Sequence, residues 1–128
     1  QLDQAELKRA DLRKSNLQGA SLQEAKLGGA KLARSNLSEA NLAYANLAGA
    51  TLGSAILYKA NLSDAVLHGT FLQNANLSEA TLTRIRCHRG RLREAVLNGA
   101  DLTKAVLNNS DLSFAKLIGT NLAKATLD

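Results

Sequence analysis

The sequence predicts an all-β solenoid built from five-residue units, and three observations predict it. From Leu2 to Leu127 every fifth residue is leucine, with the single exception of Cys87. Two places before each later member of that series stands a small residue, usually alanine, with Ile85 the one large departure. The chain has no proline, and six of its nine glycines (Gly19, Gly29, Gly49, Gly69, Gly99 and Gly119) fall in one register, two places after a leucine.

Each part of the unit follows from these. A period of five fits neither the 3.6 of a helix nor the alternation of a long strand, so the chain must bend once per unit. In a short extended segment Ala25 and Leu27 face one side and Lys26 the other. Because five is odd, alternation carried into the next unit would send its leucine outward, so the two residues after each leucine form a turn. The second turn residue is where a positive φ is expected, since glycine adopts it at least cost. The absence of proline agrees, because backbone amides are needed to pair neighbouring coils.

Composition narrows the class further. Hydrophobic residues make up 45% of the 128, but they are mostly Leu and Ala, with no Trp or Met, two Phe and two Tyr. Stacking of repeats must therefore replace a core built on aromatic anchors. The array fills residues 1–128 as a single expected domain, with no linker inside it. No apolar run is long enough to span a membrane as a helix, which favours a soluble, cytoplasmic chain. It starts at Gln1 rather than methionine, which fits removal of a start or targeting segment and leaves the compartment open. One cysteine excludes an intrachain disulfide.

Units such as Ala40-Asn41-Leu42-Ala43-Tyr44, Ala75-Asn76-Leu77-Ser78-Glu79 and Ala100-Asp101-Leu102-Thr103-Lys104 resemble the A(N/D)LXX unit of the pentapeptide-repeat family. The resemblance covers essentially the whole chain without an insertion. It implies a right-handed quadrilateral parallel β-helix of about six coils of 20 residues, a rod about 30 Å long at ~4.8 Å per coil. Four leucines then fill the centre of each square, and the second inward position must stay small. Ile85 beside Cys87 is expected to compensate volume, with Gly90 relaxing the next corner.

With 20-residue coils, residues 20 apart stack in columns. One column runs Glu39, Lys59, Glu79, and another sets Arg84 between Asp64 and Lys104, which reads as surface charge pairing. His68 stacks beneath His88, but no further ligands support a metal there, and no cofactor is expected. Cys87 faces the leucine ladder, where burial would raise its pKa and make it a core filler. Flat faces without pocket-forming loops argue against an enzyme.

The formal charge of +5 is local. Arg84, Arg86, Arg89, Arg91 and Arg93 lie within ten residues, and without them 16 − 5 = 11 basic residues balance 11 acidic ones. These arginines, with His88, form the candidate interaction surface, with Glu94 and Asp111 in reach of some of them. Arg9, Arg13, Lys14, Lys31 and Arg34 lie on the same two sides nearer the amino end, and Gly49, Gly53, Gly69 and Phe71 lie between. At the ends of the array, open coils expose leucines and unpaired edges. Phe114 and Ile118 are the candidate end contact, as in an end-to-end homodimer.

Three functional readings follow. The first is a non-enzymatic scaffold with an unknown protein partner. A second is binding of nucleic acid or another polyanion through the arginines. The resemblance adds a third, a gyrase inhibitor that mimics duplex DNA, from which this chain departs by its positive charge.

Overall fold

The computed structural model describes residues 1–128. Every pentad contributes one outward residue to a parallel bridge with the residue 20 further on, from Glu6 with Lys26 to Val106 with Thr126. Four pentads close one coil, and the stacked coils form a right-handed, four-sided parallel β-helix. No helix of the chain is long and apolar enough to cross a membrane.

Backbone pairing explains both the regularity and the missing proline. In a typical unit the Leu22 amide donates up to Asn41 (2.8 Å), the Glu24 amide to Ala43 (2.9 Å), and the Lys26 amide down to Ala5 (2.9 Å). The fourth amide closes the turn, Ala25 to the Leu22 carbonyl at 3.1 Å. A proline at any of these positions would delete one of these bonds.

The turn carries a positive φ at its second residue in every unit, whether glycine (Gly49, 67°) or a larger residue (Tyr44, 61°; Arg84, 56°). A single positive φ at the third of four residues is the type II signature. Glycine marks the position but is not required by it. Stacking on neighbouring coils holds nineteen non-glycine residues in this region, against a local cost of about 1 kcal/mol each.

One amide per unit, that of the first turn residue, has no backbone partner. The Asn or Asp two places earlier supplies one: Asn61 Oδ1 accepts the Ser63 amide at 3.0 Å, and Asp101 Oδ1 the Thr103 amide at 2.9 Å. This is the physical content of the N/D in the repeat, an Asx cap on the turns of the units that carry it. Three units without Asn or Asp borrow the cap from the coil below, as His88 does from His68 Nδ1 at 3.2 Å. Asp3 does the same for Gln23, and Asn98 for Ile118 (both 3.0 Å).

The leucine ladder is closed to solvent over most of its length. Leucines from Leu22 to Leu107 are at most 2% exposed, and Ile85 and Cys87 complete the same cluster. The rung at Cys87 differs from the expectation that Gly90 relaxes a corner. A Cβ on Gly90 would meet Cys87 Sγ at 2.2 Å, so the missing side chain is the space that holds the sulfur. The turn there lacks the usual amide bond, and the Ile85 amide makes the longest of the others, 3.4 Å to the Leu82 carbonyl. Leu117 and Leu127, in the outermost coil, are 39% and 52% exposed.

Candidate interaction surface

Two adjacent sides and the three edges that bound them carry the arginines. One side stacks Asn46, Val66, Arg86 and Val106, and the next stacks Lys31, Thr51, Phe71, Arg91 and Asp111. Arg89 stands on their shared edge, the second turn residue of its unit, with a φ of 56°. All five arginines are exposed, and His88 is half-buried.

The five differ in what they already hold. Arg84 grips Asp64 through two bonds of 2.8 and 2.7 Å, and this guanidinium, helped by the charge of Arg86 and by the Tyr44 hydroxyl, keeps the Asp64 carboxyl below its usual range. Arg93 reaches Glu94 at 3.3 Å and lies over the Phe114 ring at 5.1 Å. Arg91 stacks on Phe71 at 4.6 Å. Arg86, Arg89 and Arg91 have no carboxylate within 4 Å. Asp111 has no arginine within 4 Å; its Oδ1 caps its own turn through the Ser113 amide at 2.9 Å, and bonds from the Ser113 side chain and amide are the main reasons its pKa is lowered.

Nearer the amino end, Arg13 is spent on Asp11 in a two-point contact of 2.8 and 2.6 Å. That contact holds the Asp11 carboxyl at about 2. Arg13, Asp11 and Lys14 line one open hollow with no apolar wall. Arg9, Lys14, Lys31 and Arg34 are exposed and free of direct acid contacts.

The remaining candidates fall elsewhere. His68 and His88 meet edge to face, ring centroids 6.4 Å apart, and His68 Nδ1 is occupied by the His88 amide. No group of three His, Cys, Asp or Glu side chains converges on a metal position. Cys87 is fully buried, and desolvation pushes its thiol up to about 11. Phe114 and Ile118 are 74% and 77% exposed on different sides of the last full coil, and Phe114 belongs with Arg93 rather than with Ile118. Sequence reading missed which arginines are already neutralised. The Asp64 and Arg84 column was visible by counting 20, whereas the stacking of Arg91 on Phe71 depends on side-chain direction.

Comparison with known proteins places this geometry. The model of pentapeptide repeats matches in eight copies that together run from residue 1 to 128. The crystal structure of the pentapeptide repeat protein Rfr23 from the cyanobacterium Cyanothece is 32% identical, with a TM-score of 0.68. The match covers 69% of this chain and 60% of that one, so this chain matches less than two thirds of that relative's length. A pentapeptide repeat protein of the Arabidopsis thaliana thylakoid lumen is 26% identical over 87% of this chain and 70% of that one, with a TM-score of 0.53. HetL of the cyanobacterium Nostoc, involved in heterocyst differentiation regulation, is 32% identical over 97% of this chain and 68% of its own, with a TM-score of 0.45. No curated protein matches the chain. On the repeat, the four-sided coil and the family model that spans it, the chain belongs to the pentapeptide repeat family.

Proposed function

We propose that residues 1–128 act as a single non-enzymatic interaction domain whose recognition surface is the arginine edge, and that its partner is an acidic protein. The observation that carries this reading is the inequality among the five arginines. Arg84 and Arg93 are spent on Asp64 and Glu94, while Arg86, Arg89 and Arg91 are exposed with no carboxylate in contact. Arginine presents a planar fork suited to carboxylates, and a rigid solenoid holds the backbone beneath each fork before the partner arrives.

Acidic residues flank the surface and favour a protein over nucleic acid. Asp111 stands above Arg91 in the same column, and Glu94 adjoins Arg93 in the chain and is its contact. A continuous polyphosphate would be pressed against both carboxylates.

The test is affinity capture from the native host extract with the chain as bait. It is run beside a variant with Arg84, Arg86, Arg89, Arg91 and Arg93 replaced by Gln, with and without nuclease. A protein that survives nuclease and is lost by the variant is the expected result. Recovery of nucleic acid alone, with affinity falling steeply as salt rises, overturns it in favour of polyanion binding.

A further inference from the structure

Four of the free cations form two rows, each within one coil and each running across the rod. Lys31 and Arg34 make the lower row, and Arg89 and Arg91 the upper. Lys31 and Arg91 share a column through Thr51 and Phe71, three coils apart, which is roughly 14 Å at ~4.8 Å per coil. Between the rows this side presents Thr51, Gly53, Phe71 and Gln73, none of them charged.

An α-helix with its side chains is about 10–12 Å across, so it fits between the rows. The rows run across the rod, and the flanks of a helix run along its own axis, so such a helix lies crosswise. Its two acidic flanks then face one row each, and the stripe between them faces Phe71, which is half-buried and held beneath the Arg91 guanidinium. Asp11 lies one coil below Lys31 and Asp111 one coil above Arg91, and Glu94, in the coil of the upper row, is held by Arg93. Those carboxylates would repel a ligand charged along its whole length.

Resting on the interaction reading above, we infer that this side of the rod seats an acidic amphipathic α-helix of a partner protein, laid across the rod between Lys31 and Arg34 on one flank and Arg89 and Arg91 on the other.

The probe is a fluorescein-labelled synthetic helix of about 20 residues, long enough to be helical alone, with two rows of glutamate flanking a row of leucine. Its control has the same glutamates with two central prolines, and a labelled DNA duplex is the competing ligand. Anisotropy is measured at low ionic strength, where exposed charges act at full range. The helix is expected to bind at least about tenfold more tightly than the proline control. Neutralising either row (Lys31→Gln with Arg34→Gln, or Arg89→Gln with Arg91→Gln) should weaken it about fivefold, two exposed pairs being lost each time. Gly53→Tyr, which raises a ring in the seat and leaves every cation in place, should weaken it by a similar factor. Unchanged melting temperatures establish that the variants are folded. Sensitivity to the upper row alone overturns the helix seat and leaves the arginine edge standing. Indifference to both rows overturns both readings, and so does tighter binding of the duplex than of the peptide.

Discussion

Ser110 replaces a backbone hydrogen bond of the turn that ends at Gly90. Its Oγ accepts the Gly90 amide at 3.0 Å and donates to the Cys87 carbonyl, so a hydroxyl from the coil above bridges the two groups that bond directly in other turns. The same sulfur that occupies the space left by Gly90 also lies 4.0 Å from this hydroxyl. Cys87, Gly90 and Ser110 are one unit, spread over two coils.

This unit predicts unequal costs for one kind of substitution. Gly49→Ala meets nothing within 4 Å and carries only the strain of its positive φ, about 1 kcal/mol. Gly90→Ala drives a methyl into Cys87 Sγ and should cost roughly 2–3 kcal/mol. Adding Cys87→Ala to Gly90→Ala should recover part of that loss, which urea unfolding of the two single variants and the double variant measures. Full additivity would show that the sulfur is not what excludes the methyl.

Acid should weaken the fold through Asp11. Its carboxyl is held at about 2, against an ordinary 3.8, chiefly by the side-chain bond from Arg13. A depressed carboxylate stabilises the folded state above the unfolded pKa, and that contribution fades as pH falls from about 4 toward 2. In Asp11→Asn the fall of the urea midpoint over this window should be shallower than in the parent. Equal slopes would remove Asp11 as a source. The pair is exposed, so the effect should also shrink in high salt.

The thiol acts at the other end of the scale and has the opposite sign. Burial raises Cys87 to about 11, from an ordinary 9.0, so its contribution is intact below about pH 9 and lost as pH rises toward 11. At about pH 8 the native chain should resist iodoacetamide, while the chain in denaturant is alkylated at its one cysteine. Rapid labelling of the native protein would show that the ladder opens at that rung.

Spacing along the chain is enough to specify the turn, the inward ladder and the repeat. A leucine every fifth residue leaves one backbone course, and counting by 20 on the implied coil finds the Asp64 and Arg84 pair. The Asx caps were legible as letters, since Asn61 and Asp101 recur before leucine, though not as bonds. Contacts between coils settled the rest. They set positive φ at nineteen non-glycine residues, because stacking energy is shared across coils and no single unit records it. They laid Arg91 on Phe71, while within single coils Asp111 turned to Ser113 instead of Arg91 and the Cys87 sulfur took the space of Gly90. Each of these choices is made by side-chain direction, where two partners compete for one group, and spacing in the sequence is the same whichever wins.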